Sequence, residues 1–580
     1  MIRNAVMACA AALLLAPLAG RAQSGSEALQ KFFAQAFEER LREEPELATS
    51  IGRNDYDDRW NDWSKAGRDE RRAHLEQRLK QLEAIPLDGA TDEEKLSARL
   101  LRYDMRQQLD ALDLETHLLR VHQLFGLHNR VYAAVDRMPA RTMRDYRNLL
   151  ARLHAVPAYV DQNIALMNES LEQGLAQPRP VVELILKQLG AQCGQTSANS
   201  PLLAAFRKFP SNFPAEEQEK LKAEAVRTYE SEFLPAWRKL LAYMRETYAA
   251  KERPIIGLGS LPNGRRDYEI LIHRLTTTSL SPEEIHRIGE AEVKRIEAEM
   301  LELVHGTGFT GSLVEFEKKL DAMPGQHFRS KEEMLAYCRN VAKIIEPELP
   351  NLFKRIPVML YGVRAIPPDR EQASASNAQA PNPDGSAPGW FNLNTYEPEK
   401  QVRYDKEALV LHEAVPGHIF QGSVARTLKG IPEFRKFYGN SAYGEGWALY
   451  AESLGEQLGI YRDAYSRFGR LVSERFRAVR LVVDTGIHAM GWTREQAVEY
   501  FRAHAPQEPL EEIDRYIGWP AQALSYKLGQ LKILELRRQA ENELGAKFDI
   551  REFHDVVLRD GTLPLELLQE QVQAYIGAQR

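Results

Sequence analysis

His412 and His418 stand six residues apart in Leu409-Val-Leu-His-Glu-Ala-Val-Pro-Gly-His418, and that interval restricts the backbone between them. On a regular helix, residues four apart lie about 40° from each other and residues six apart about 240°, so an unbroken helix sends the two imidazoles to different sides. Pro416-Gly417 falls in the gap. Proline removes a backbone donor and crowds the turn before it, while glycine accepts dihedrals that other residues avoid. The pair predicts a local bulge that takes up two extra residues and returns His418 to the face of His412. A helix that ends at Pro416, with His418 in a loop, is the competing reading.

If the rings meet, the motif has the parts of a metal site. Two neutral imidazoles ligate, and Glu413 beside the first takes a proton from the ion's water. Zinc is the natural candidate, because it accepts imidazole and carboxylate together. Ser441-Ala-Tyr-Gly-Glu445-Gly-Trp-Ala-Leu-Tyr-Ala-Glu452 reads as a second helix offering Trp447, Ala451, Leu454 and Leu458 to a core. Glu445 and Glu452 are seven apart, hence nearly on one line of it. Glu445, between two glycines that allow close approach, is the expected third ligand. Glu452 either supports the ligands from behind or is a solvated glutamate.

The chain before this region reads as helix after helix. Met1-Ile-Arg3, an uncharged run from Ala5 to Gly20 and a small-x-small site ending at Ala22 have the build of a cleaved secretory signal over 1–22, too short to span a membrane. Thr91-Asp-Glu-Glu94 is a capping box opening a helix to Leu112, and Arg144 to Glu172 and Glu216 to Ala249 keep the same rhythm. Ser281-Pro-Glu-Glu284 opens another helix to about Val304. The 580 residues, 76 basic against 82 acidic, show no basic stripe of a nucleic-acid binder. Of three cysteines, signal cleavage leaves Cys193 and Cys338, free or paired. This length predicts two helical lobes, 23–254 and 255–580.

Pro357 to Val363 and Gly389 to Thr395 carry strand-forming residues, separated by a mobile loop from Ala373 to Pro388. A small sheet just before the metal helix offers an edge to an extended peptide, with Asn392 and Asn394 adding hydrogen bonds, or is a structural hairpin. Arg480, Asp484 and His488 fall at four-residue steps on one helical face. Asp484 could orient His488 toward substrate, although a surface ion-pair row has the same spacing. Further on, Tyr526 either donates to a developing oxyanion or packs in a core. Arg480, Arg515 and Lys527 are all candidates to anchor a substrate carboxylate.

His412-Glu-Ala-Val-Pro-Gly-His418-Ile-Phe-Gln421, Glu445-Gly-Trp-Ala-Leu-Tyr450 and Pro520-Ala-Gln-Ala-Leu-Ser-Tyr526-Lys together resemble the bacterial family of domain of unknown function 885, from roughly residue 45 to the end. The resemblance implies a mainly α, two-lobed zinc metallopeptidase-like protein of gluzincin type, with a central cleft walled by the N-terminal half. It also favours Tyr526 over His488 as the oxyanion donor. The reading is then a periplasmic or secreted peptidase of carboxypeptidase or oligopeptidase type, acting on short peptides. His412, His418 and Glu445 hold zinc, and Glu413, Tyr526 and His488 are the candidates for catalysis. A hydrolase of a non-peptide amide or ester keeps the same residues, and a non-catalytic binding protein with a structural metal is the rival class.

Overall fold

Helix starts are set by local capping, and the computed structural model, which describes residues 25–580 apart from 119, 359, 372, 373, 383, 384 and 386, shows them at the expected places. The signal-like segment 1–22 lies outside the described residues. In α1 (Asp92–His117) the Thr91 hydroxyl accepts from the Glu94 N–H at 3.2 Å, and the Glu94 carboxylate accepts from the Thr91 N–H at 2.8 Å. Thr142 and Asp145 start α2 (Met143–Glu172) in the same way. Ser281 and Glu284 start α3 (Pro282–Gly306), with proline at the first position, where no N–H is missed. The stretch expected as one helix from Glu216 to Ala249 is helical throughout, from Ala215 to Lys251, with the α segments Ala215–Thr228 and Leu234–Tyr243 each followed by a widened π turn, Tyr229–Phe233 and Met244–Tyr248. Pro235, second in the later segment, cannot supply the N–H a regular α turn would use, and a wider turn accommodates that loss.

The sheet is small and mixed. Strands β1 (Tyr361–Ala365), β2 (Asn377–Gln379) and β3 (Gly389–Leu393) lie in the order β1-β3-β2. Strand β1 runs parallel to β3 with Tyr361 opposite Gly389, and β2 runs antiparallel to it with Asn377 opposite Asn392. Strand β2 comes from the stretch expected as a loop. Asn392 and Asn394 are not offered to a peptide, because the sheet itself uses them. Asn392 accepts from Arg364 Nε at 2.7 Å and donates to Asn377 at 2.9 Å, while Asn394 donates to the carbonyls of Glu371 and Ser374.

Six helices surround the site: α4 (Lys406–Glu413), α5 (His418–Thr427), α6 (Ser441–Ser453), α7 (Ala464–His488), α8 (Glu511–Gly518) and α9 (Ser525–Leu544). The fold is mainly helical, and its two large cores each draw on both halves of the chain. One joins Phe33 and Leu100 to Trp447 and Leu568, the other Tyr146 and Trp237 to Phe468 and Val479. Burying an indole such as Trp447 removes roughly 200 Å² from water, worth about 5 kcal/mol before entropy is counted. Cys338 lies inside the first core and Cys193 beside the second; both are free thiols. Among the described residues no helix is long and apolar enough to cross a membrane.

Helices α6 and α9 touch backbone to backbone. A Cβ placed on Gly529 would lie 1.9 Å from the Ala442 carbonyl oxygen, and one on Gly446 would lie 2.5 Å from Gly529. These helices carry Glu445 and Tyr526, so the two glycines set the spacing between those side chains. We expect Gly529→Ala to destabilise the fold by about 1–3 kcal/mol, read from the denaturant midpoint, because the obstructing atom is backbone and has no rotamer to escape into. An unchanged midpoint would mean that the helices stand further apart than described.

Candidate metal centre

The chain between the two histidines neither continues as one bulged helix nor leaves His418 in a loop. Helix α4 stops at Glu413, four residues turn back with a cis Val415–Pro416 peptide, and α5 begins at His418 itself. The turn crosses the end of α4 so closely that a Cβ on Gly417 would lie 1.8 Å from the His412 carbonyl oxygen. Only glycine permits that approach. Trp447 Nε1 on α6 donates to the Pro416 carbonyl at 2.8 Å, tying the turn to the helix of Glu445. The expected outcome, both rings on one side, is reached by a break and not by a bulge.

The two imidazoles are 4.9 Å apart and perpendicular, at 88°. Their Nε2 atoms lie 3.4 Å (His412) and 3.2 Å (His418) from the same oxygen, Glu445 Oε2. That oxygen is buried and has no hydrogen bond, so neither ring is aligned to donate to it. Donor atoms about 2.0–2.2 Å from a tetrahedral ion stand about 3.3–3.6 Å from one another, which is the spacing found around Glu445. The residues present therefore fit a divalent cation.

Glu452 completes the arrangement from behind. Its Oε1 accepts from His412 Nδ1 at 2.8 Å, and it is buried, not solvated. With Nδ1 carrying the proton, Nε2 keeps its lone pair for a ligand bond. The seven-residue spacing of Glu445 and Glu452 places them at opposite edges of one imidazole. Burial opposes charge on His412, but Glu445 and Glu452 outweigh it and push its pKa up to about 10. Burial likewise works against ionisation of Glu445, and His418 and His412 more than offset it, holding its carboxyl well below the usual range. Burial raises the Glu413 carboxyl, against the pull of His412 and His418.

Tyr526 on α9 stacks on His412, with ring centroids 6.2 Å apart and planes 16° from parallel. Its hydroxyl oxygen accepts from Arg515 at 3.2 Å and faces Gln522 Nε2 at 3.5 Å. With its lone pairs taken, the hydroxyl has its own proton left to donate. His488 does not join the site. Its Nδ1 accepts from the Leu258 N–H at 3.1 Å and its Nε2 donates to the Tyr516 carbonyl at 3.0 Å, while burial pushes its pKa down to about 3. On α7, it joins the turn at Leu258 to the Tyr516 carbonyl of α8. Asp484 faces Tyr268 and the Ala521 N–H instead of His488, and burial pushes it up to about 7. Lys527 is fully buried on Glu474, Glu292 and Gln530, so it is no substrate anchor. Sequence reading passed over Arg477, whose Nη2 lies 3.9 Å from Glu452 Oε1, although it sits one turn before Arg480 on the same face. A cavity of about 590 Å³ is lined by Phe33, Arg40, Tyr103 and Phe434 and reaches Ser441, the first residue of α6, but none of His412, His418 and Glu445 lines it.

A family model described as a bacterial protein of unknown function, DUF885, matches residues 45–572. The structure of a putative lipoprotein from Colwellia psychrerythraea is similar at a TM-score of 0.91 and 27% identity, over 96% of this chain and 100% of that one. A putative lipoprotein of unknown function from Shewanella oneidensis is similar at 0.73 and 18% identity, over 95% and 100%. A putative oligoendopeptidase F from Bacillus anthracis str. Ames matches over 87% and 96% at only 0.34 and 13%, too distant to carry an argument. No curated protein matches the chain. We expect Glu452→Gln to weaken cation binding about 10–100-fold, measured by chelator competition, because the orienting charge behind His412 is lost. Unchanged affinity would reduce Glu452 to a packing residue.

Proposed function

The chain belongs to the bacterial DUF885 family, whose description brings no activity with it, and from its own site we propose that it is an exported, zinc-dependent peptidase acting on short peptides. The observation that carries this is the buried Glu445 Oε2, without a hydrogen bond and faced by two imidazole nitrogens at 3.4 and 3.2 Å. Export is supported by the signal-like segment 1–22 and by the lipoprotein description of the similar structure from Colwellia psychrerythraea.

His412, His418 and Glu445 would hold the ion. Three ligands from the protein is the number that catalytic zinc sites use, whereas structural zinc sites use four. When bound, the cation supplies Lewis acidity, making a water more acidic and a carbonyl more electrophilic. Glu413, adjacent to His412 and buried, takes the proton of the attacking water. The water oxygen adds to the carbonyl carbon, and the Tyr526 hydroxyl donates to the carbonyl oxygen as negative charge gathers there. Glu413 returns its proton to the leaving nitrogen as the C–N bond breaks, giving an amine and a carboxylic acid, whose remaining proton then passes to the amine. Glu452 keeps His412 in one tautomer throughout, and Arg515 keeps the Tyr526 proton turned away from itself.

Metal analysis of the purified protein should find one zinc per chain, and a mixed-peptide digest read by mass spectrometry should show hydrolysis. Glu413→Gln should retain the metal and lose about 10²–10⁴-fold in rate, the usual contribution of a general base. Metal loss in that variant, or undiminished hydrolysis, would remove Glu413 from the role. Glu445→Ala should lose the metal outright; full retention would move the third ligand elsewhere.

A further inference from the structure

Helices α7 and α8 bring arginines around Tyr526 in excess of the acids that could balance them. Arg480, whose side chain is 4% exposed, donates through Nε to Tyr516 at 3.1 Å and through Nη2 to Glu512 at 2.9 Å, and its Nη1 has no partner. Its guanidinium lies 4.5 Å from the centre of the Tyr526 ring. Arg515 donates through Nη2 to Gln522 at 2.9 Å and to Tyr526 at 3.2 Å, reaches Glu512 through Nη1 at 3.4 Å, and leaves a buried Nε without a partner. Two guanidiniums, which stay charged at any relevant pH, thus share one carboxylate. Glu508, the next acid, is pushed up to about 7 by burial, against the pull of Arg477 and Arg480, so it is an incomplete counter-charge.

Burying positive charge without full compensation is costly, and such charge persists where a ligand completes the pairing. Arg515 keeps 18% of its side chain exposed, so the excess charge is reachable. It sits one hydrogen bond beyond Tyr526, whose ring is 6.2 Å from that of His412. An extended peptide advances about 3.5 Å per residue, so the 6.2 Å between the Tyr526 and His412 rings corresponds to about two residues of substrate. We propose that Arg515, with Arg480 behind it, seats the free C-terminal carboxylate of the peptide, so that the protein is a carboxypeptidase releasing one or two residues. This deepens the peptidase reading above and rests on it. Of the three basic residues the sequence offered, Lys527 is excluded by its own carboxylate partners.

The test uses the metal-loaded full chain and one unselected peptide library, made both as free acids and as C-terminal amides. Mass spectrometry should show free acids shortened from the C-terminus by one or two residues, and amides cleaved roughly 100-fold more slowly, the scale of losing one buried charge pair. Equal cleavage of acids and amides, or internal cuts, would overturn the seat while leaving the peptidase reading intact. No cleavage of any peptide would overturn the peptidase reading instead. In that event calorimetric binding to the Glu413→Gln chain still decides the seat, which predicts free acids bound and amides not. Arg515→Met should lower free-acid binding to the amide level, with partial return in Arg515→Lys. Equal binding of acids and amides by the Glu413→Gln chain would sink the proposal.

Discussion

One imidazole held at one edge by a carboxylate and faced at the other by a second is the arrangement on which the site depends. Glu445 faces Nε2 of His412 and Glu452 holds Nδ1, and both come from α6, seven residues apart. The ring is thereby fixed in tilt and tautomer by a single rigid element. That works only if α6 lies at a fixed distance from α4, which is why the nearby packing is so close. Trp447 ties α6 to the Pro416 turn, and Gly446 against Gly529 ties α6 to α9. Both restraints act within one turn of Glu445.

The buried charges elsewhere show what a purely structural solution looks like in this protein. Lys527 meets both Glu474 and Glu292, and Arg475 meets Glu317, so each buried cation lies directly on at least one carboxylate. Glu474, although buried, is held at about 2 by Lys527, Arg470 and Arg295. Around the histidine cluster the matching is broken in both senses. Two carboxylates converge on His412, and two guanidiniums share Glu512 beside Tyr526. Desolvating unmatched charge costs several kcal/mol per ion, so such imbalance is retained where a cation on one side and an anion on the other restore it.

Much of this was legible locally. Capping boxes at Thr91 and Ser281 announced their helices, because a cap is written within four residues. His412, Glu413, His418 and Glu445 were legible as a group because the residue types are unusual together and their spacing is chemical. The Asp484–His488 pair was misread because four-residue spacing shows that two side chains share a helix face, not what packs against that face. There, Leu258 and the Tyr516 carbonyl took His488, and Tyr268 took Asp484.

By itself the sequence determined a mainly helical chain and the inventory of donors for an ion, since helix periodicity, caps and ligand types are properties of neighbouring residues. Tertiary structure decided the rest: that α4 ends at Glu413 and α5 starts on His418, that Glu452 faces inward, that Lys527 is spent on two glutamates and that Arg515 shares its one glutamate with Arg480. Each of those depends on which backbone or carboxylate arrives from a distant part of the chain, and no local pattern encodes that arrival.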